Sequence, residues 1–453
     1  LSQSVSIPYI ADSSFYFERI RHLGDAVWLD SGRPANEYGR YDILAAGPNA
    51  VLSLHQGKLI VQSGDTSEEL SGCPFSAMES LLKGYPKVAN STLPFNGGLI
   101  GHFSYDLGRA IEDLPTDSVQ DIDLPELQAG LYHWALIQDH QEQLSYLVHL
   151  PDVDPQSLIS LLDDTPKQLD TGFNLTSNFE PDISPEQYAG AFDKIEHYIN
   201  AGDCYQVNYA QRFSAQYQGD PWQAYKQLRS AAPTQFAAYL ESGGNAILSL
   251  SPERFLEVSG DTVTTKPIKG TRPRGSDSAQ DLALYNELKE SKKDRAENLM
   301  IVDLLRNDLS KACEFGSVKV PKLFDIESYA NVHHLVTTIT GKLDHQHPAS
   351  LLRHCFPGGS ITGAPKIRAM EIIDELEPTR RSIYCGSIGY ISLCGRMDTS
   401  ITIRTLLCQI DRIYCWAGGG IVADSTCDSE YQETFSKVNN LLDTLNHTLI
   451  TEK

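Results

Sequence analysis

Glu253 and Lys269 place a carboxyl and a primary amine on either side of one short hairpin-like segment. Between them, Phe255-Leu256-Glu257-Val258 and Thr262-Val263-Thr264-Thr265 flank Ser259-Gly260-Asp261, two strand-forming runs about a glycine turn. With Gly260 at the turn centre, Glu253 falls nearly opposite Pro267, and Lys269 lies at a diagonal separation of roughly 7–8 Å or less. A proton donor and a nucleophile would then bracket a small substrate. The plain alternative is a surface ion pair, which does little for a fold. Pro267 ahead of Lys269, with Gly270 and Thr271 after it, favours the chemical reading, because these residues fix the chain and admit a ligand close to the backbone.

Carboxylates form the second group. A helix expected over Lys289–Leu309 carries Glu297 on the same stripe as Ile301, Leu304, Leu305 and Leu309. A carboxylate on an apolar face needs a partner. In a second expected helix, Asp428–Leu445, the residues Glu430, Glu433 and Lys437 share one face, and Tyr431, Phe435, Val438 and Leu442 form the core stripe. Carboxylates from two helices, with no His or Cys ligand beside them, suit a hard cation such as Mg²⁺. A solvated charged face is the alternative for Glu430 to Lys437.

Two glycine-rich turns follow, Pro357 to Lys366 (PGGSITGAPK) and Ala417 to Val422 (AGGGIV), and neither fits a P-loop or a dinucleotide fingerprint. In the first, Pro365 stands where the helix Lys366–Leu376 would begin, so the amides of Gly363 and Ala364 could receive a carboxylate. Arg404 alternates with Ile401 and Ile403 in an expected strand Thr399–Leu407 and could bind a carboxylate in bidentate fashion.

The elements that must position these groups belong to an ordinary globular chain. It has 453 residues, 41% of them hydrophobic and 21% charged, enough for one large core or two smaller ones. The net charge of −22, from 37 basic and 59 acidic residues, argues against nucleic acid and anionic membrane as partners. Nine cysteines without a C-x-x-C read as reduced, mostly buried thiols. With neither a basic-apolar leader nor an apolar run long enough to span a bilayer, the expected location is the cytoplasm. Residues 1–165 mix strand-like runs, such as Gly130–Ala135 and Leu144–Leu150, with turns. A polar stretch, 166–184, reads as a linker or surface loop, and 185–453 as the catalytic part, opened by a helix Pro185–Ala201 and strands near Tyr205–Phe213 and Ala246–Leu250. The expected class is α+β, with large antiparallel sheets and covering helices.

An ordered series of motifs then carries a resemblance. It comprises Gly202-Asp203-Cys204-Tyr205-Gln206-Val207-Asn208, Ser251 to Phe255, Pro267 to Thr271, Asp294 to Asn298, Arg306 to Leu309, the Gly358 to Lys366 turn, Asp398 to Thr405 and Glu430 to Thr434. Together these resemble the chorismate-utilising family of anthranilate, aminodeoxychorismate, isochorismate and salicylate synthases. The resemblance implies two facing antiparallel sheets with surrounding helices, both halves sharing one core. It implies Mg²⁺ bound by Glu297 and Glu433, with Asp294 and Glu430 as outer positions, and the ring carboxylate of chorismate on the metal. Tyr384 and Arg404 match positions that hold the enolpyruvyl carboxylate. Gly270, Thr271, Gly418, Gly419 and Lys437 match the ring end, and Gln206, His334 and Ser360 match other pocket positions, with Ser360 where many relatives have Thr.

Water-using members carry Lys at the position of Gln206, where it serves as a base; Gln206 cannot, which favours ammonia. Anthranilate synthases have Ala at the position of Lys269. The resemblance therefore implies the branch in which Glu253 protonates the 4-hydroxyl, Lys269 attacks carbon 2, and ammonia replaces the lysine by attack at carbon 4, a step toward p-aminobenzoate and folate. A lysine near its ordinary pKa pays roughly a thousandfold penalty at pH 7 before it can attack. Ammonia would come from a glutamine amidotransferase subunit. Anthranilate synthase component I is the alternative within the family, and a non-catalytic chorismate- or tryptophan-binding regulatory subunit is the alternative outside catalysis. A tryptophan pocket is also implied, at Ser31, Tyr38, Gly39, Arg40, Tyr41, Gln235, Phe236 and Ala237, where ordinary packing between the halves is the alternative.

Overall fold

The segments Gly98–Phe103 and Trp134–Asp139 are buried at every position, whereas Ala50–His55 alternates buried and half-buried residues. The first pattern requires cover on both faces of a sheet and the second on one. The computed structural model, which describes residues 2–36, 39–86, 88, 91–164, 171–329 and 331–449, meets both needs with two large sheets and a layer of helices.

Among the described residues the first sheet has 13 strands. Its main path runs through Gln3–Ile7, Leu144–His149, Trp134–Asp139, Tyr41–Ala45, Val27–Asp30, Phe236–Ser242, Asn245–Ser251, Thr405–Gln409, Arg412–Ile421, Gln206–Gly219 and Phe173–Leu175. The second has 12 strands, from Ile268–Pro273 through Val332–Lys342, Thr262–Thr265, Arg254–Ser259, Met397–Ile401 and Ser387–Ser392 to Gly98–Phe103, Leu127–Tyr132 and the meander Ala50–Leu70. The named strands all pair antiparallel. Each sheet passes hydrogen bonds between early and late parts of the chain: Val27–Asp30 pairs with Phe236–Ser242, and Gly98–Phe103 with Ser387–Ser392. Within 166–184, the segments Phe173–Leu175 and Glu180–Pro181 pair with the Gln206–Gly219 strand.

Leu52, Leu99, Leu131, Leu256 and Ile388 of the second sheet meet Leu240, Ile247 and Leu407 of the first in one apolar core. Each such side chain contributes about 1.5–3 kcal/mol when fully buried. A second core, with Phe17, Trp28, Trp222, Tyr225 and Tyr239, packs the outer face of the first sheet against the helices Ser14–Ile20, Pro221–Ala231 and Cys427–Asn446.

Helices Pro185–Ala201 and Lys366–Leu376 have the bounds their sequences suggest. Three expected elements differ. The run Gly130–Ala135 breaks at His133, with Leu127–Tyr132 in the second sheet and Trp134–Asp139 in the first. Thr399–Leu407 is likewise split: Met397–Ile401 and Thr405–Gln409 lie in different sheets, and Arg404 takes a φ of 50° in the crossing. The Lys289–Leu309 helix is two, Ser278–Glu290 and Lys292–Ser310, because Ser291 ends one and caps the next by accepting the Asp294 N–H at 3.2 Å. All nine cysteines are free of disulfides. No helix among the described residues is long and apolar enough to cross a membrane.

Candidate active site

The hairpin pairs Glu257 with Thr264 and Ser259 with Thr262, and this register carries Glu253 toward Ile268, whose amide favours the ionised Glu253 carboxylate. Ile268–Pro273 then turns to pair with Val332–Lys342, which sets Thr271 opposite His334 with their side chains 2.8 Å apart. Helix Lys292–Ser310, capped at Ser291, presents Glu297 a turn later; helix Cys427–Asn446 presents Glu430 and Glu433.

These groups line one cavity of about 580 Å³, together with Lys269, Gly270, Asp294, Ser360, Tyr384, Arg404, Gly418, Gly419 and Lys437. Gln206 lies just behind the wall, where its Nε2 donates to Glu297 Oε1 at 3.2 Å. Lys269 Nζ donates to the Ser360 carbonyl at 2.9 Å and lies 3.2 Å from Glu297 Oε1. Burial works to lower the Lys269 pKa, but Glu297, Glu253 and Glu433 outweigh it and hold the ammonium above its ordinary value. Glu253 is 5% exposed, and burial raises its carboxyl against the opposing pull of Lys269, Ser360 and the Ile268 amide. That is the environment of a carboxyl able to carry a proton. Glu297 is moved the other way: burial raises it, but Lys269, Lys437 and Gln206 bring it below the usual range.

Burial, reinforced by the positive charge of Arg404, pushes the His334 imidazole down to about 4, so it is neutral at pH 7. Arg404 itself makes no ion pair with a carboxylate among the described residues, and burial lowers its pKa. The Tyr384 ring stacks on Trp416 with an interplanar angle of 6°.

Glycines make room where the carboxylates converge. A Cβ at Gly419 would lie 2.8 Å from Glu430 Oε2 and 3.6 Å from Glu433 Oε1, and one at Gly420 would lie 3.3 Å from Glu297 Oε1 and overlap Gln206. Oxygen donors of both helices therefore face the same bare strand, Arg412–Ile421. Lys437 holds Glu433 at 2.6 Å and the Gly418 carbonyl at 2.7 Å, Ser425 donates to Glu430 at 2.7 Å, and Asp294 lies 3.3 Å from Arg272. Among the described residues no three His, Cys, Asp or Glu side chains gather closely enough to hold a metal by themselves. Two carboxylates with cleared space fit Mg²⁺, which keeps several waters and is commonly bound by one or two carboxylates and a substrate.

A second cavity, about 220 Å³, is lined by Ser31, Gly39, Arg40, Tyr41, Gln235, Phe236 and Ala237, joined by Arg254, Tyr390 and Asp398. Tyr38 lies outside the described residues. Sequence reasoning missed Asn208, Arg272, Lys293 and Trp416 as cavity walls. Asn208 shares a strand face with Gln206 at i+2, and Lys293 precedes Glu297 by one helical turn, so periodicity could have found both.

The profile of the family described as chorismate binding enzyme matches residues 24–443. Aminodeoxychorismate synthase component 1 of Klebsiella aerogenes is 48% identical over 97% of this chain and 98% of its own length. The Escherichia coli (strain K12) protein of the same name is 49% identical over 95% of each. The crystal structure of anthranilate synthase component I from Streptococcus pneumoniae TIGR4 is similar with a TM-score of 0.80 and 31% identity, covering 89% of this chain and 92% of that one.

Proposed function

The chain belongs to the chorismate-binding enzyme family, and from that premise we propose that it aminates chorismate at ring carbon 4 to give 4-amino-4-deoxychorismate, a step toward p-aminobenzoate and folate. The observation that carries this reading is Lys269, a primary amine held between the Glu253 and Glu297 carboxylates at the wall of the large cavity. The names of the two bacterial relatives support it.

A proton passed from Lys269 to Glu253 leaves a neutral amine and a carboxylic acid. The amine forms a bond to carbon 2 as the ring double bonds shift and the carbon 4–oxygen bond breaks, and Glu253 protonates the departing hydroxyl to water. Ammonia then forms its bond to carbon 4, the double bonds shift back, and Lys269 leaves carbon 2. The sum is chorismate plus ammonia giving the amine plus water. Arg404, without an acidic partner among the described residues, and Tyr384 of the same cavity would receive the enolpyruvyl carboxylate. Gly270, Thr271, Gly418, Gly419 and Lys437 would face the ring end, with His334 a neutral hydrogen-bonding group.

Glu297 and Glu433 would hold Mg²⁺, with Asp294 and Glu430 behind them. When bound, the ion supplies positive charge that holds the ring carboxylate. Burial raises the thiols of Cys204, Cys313, Cys355, Cys385, Cys408, Cys415 and Cys427, the reverse of what a glutaminase nucleophile needs. This supports ammonia delivery by a glutamine amidotransferase subunit. The second cavity, lined from both 1–165 and 185–453, would hold tryptophan, and the enzyme would work in the cytoplasm, with 185–453 carrying the chemistry.

The test is a product assay with chorismate, Mg²⁺ and ammonium at alkaline pH, beside Lys269→Ala. 4-Amino-4-deoxychorismate from the wild type and its near-complete loss in the variant are expected. Anthranilate or isochorismate from the wild type would overturn the branch assignment.

A further inference from the structure

Three of the chain's four tryptophans, Trp28, Trp134 and Trp222, belong to the core behind the first sheet. The fourth, Trp416, lies in the core between the sheets and lines the large cavity. It stands two residues before Gly418 on the strand Arg412–Ile421, so the indole shares a face with a glycine of the same cavity. Leu406 pairs with Cys415, which brings the next residues along each strand, Thr405 and Trp416, together and leaves Arg404 just beyond. The Tyr384 ring stacks flat on the indole and fixes its plane. Trp416 is 3% exposed, and its Nε1 has no hydrogen-bond partner among the described residues, yet that nitrogen is not sealed from open space as Trp28 Nε1 is. Trp222, by comparison, gives its N–H to Glu18 at 3.0 Å. An indole N–H can only donate, and a buried donor is unfavourable until an acceptor arrives.

We propose that Trp416 Nε1 donates a hydrogen bond to the carboxylate that chorismate presents at the Arg404 end of the cavity, which makes the indole a substrate-binding residue of this chain. The assignment rests on the carboxylate placement in the amination reading above. Arg404, with no acidic partner among the described residues, supplies the charge that draws an anion there. The indole adds a neutral donor whose plane is set in advance by Tyr384, so little freedom is lost when the ligand binds. That carboxylate takes no part in the bond changes at carbons 2 and 4. The hydrogen bond therefore holds substrate and transition state alike.

The test compares the wild type with Trp416→Phe, which keeps an aromatic ring against Tyr384 and lacks the N–H. At saturating ammonium and Mg²⁺ the KM for chorismate is expected to rise about tenfold or more, the lower end for a hydrogen bond to a charged group, while kcat stays within twofold. Wild-type tryptophan emission, which needs no variant, is expected to change when chorismate and Mg²⁺ are added without ammonia, because the other three indoles lie behind the first sheet. Trp416→Phe should abolish that change. An unchanged KM in the folded variant, a fall in kcat alone, or wild-type emission indifferent to saturating chorismate would overturn the donor. If the wild type gives no aminated product, the amination reading falls, and the chorismate dissociation constant measured by calorimetry decides the donor by itself: binding about tenfold weaker in Trp416→Phe supports it, and equal binding overturns it.

Discussion

Lys269 and Gln206 meet on a single atom: the ammonium and the amide NH₂ each lie 3.2 Å from Glu297 Oε1. One carboxylate oxygen thus orients both the amine that would attack and the amide beside it. That same oxygen would lie 3.3 Å from a Cβ at Gly420, beside Gly419, which Glu430 and Glu433 approach.

Glu297→Gln should therefore disturb two functions together. The neutral amide cannot neutralise Lys269 and is a poor magnesium ligand. We expect kcat/KM for chorismate to fall by about 100-fold or more, the scale of losing one preorganised charge, and the Mg²⁺ concentration for half-maximal rate to rise. A variant with the wild-type Mg²⁺ dependence would remove Glu297 from the metal site.

Glu253→Gln separates protonation from attack. In the absence of ammonia the wild type should accumulate a protein adduct equal in mass to chorismate less one water, located on Lys269. The glutamine variant keeps its neighbours Ser360 and Ile268 but has no proton to give the 4-hydroxyl. Intact-mass spectrometry should find it unmodified. An equal adduct yield in this variant would assign the acid elsewhere.

Glu253 and Arg254 are consecutive, yet one lines the large cavity and the other the smaller one. Occupancy of the smaller cavity by tryptophan should raise the thermal midpoint, since a ligand at 100 times its Kd stabilises by about 2.7 kcal/mol. Gln235→Ala, which removes a polar wall group, should shrink that rise. No shift in the wild type at millimolar tryptophan would mean that the cavity takes some other occupant or none.

Local signals made much of this readable. Gly260 and its flanking β-branched residues announce a hairpin whose register differs by only one residue from the expected one, and Ser184 and Gln187 mark a helix start through a capping box. What stayed hidden is set by long-range geometry. Thr399–Leu407 is rich in β-branched and aliphatic residues, and nothing in its pattern reveals that the chain leaves one sheet for the other at Arg404. The same holds at His133. Arg272 was missed because its partners Glu287 and Asp294 come from different helices. The family motifs pointed to residues around one cavity; how the charges there offset one another, as at Lys269, depends on distances that sequence does not contain.

His102 offers a test of burial far from any metal ligand. It is 3% exposed, its Nε2 lies 3.1 Å from the Pro125 carbonyl, and burial pushes its pKa down from 6.5 to about 4. The unfolded chain, with an ordinary imidazole, therefore binds a proton at higher pH than the folded one. Stability from this group is complete above pH 6.5 and is lost as pH falls toward 4, at about 1.4 kcal/mol per pH unit for one proton. His102→Gln can keep a donor to Pro125 and cannot titrate. Between pH 6.5 and 5, urea unfolding should show the wild type losing about 1.5 kcal/mol more than the variant. Equal losses would mean that the imidazole takes up its proton in the folded protein as readily as in the unfolded chain.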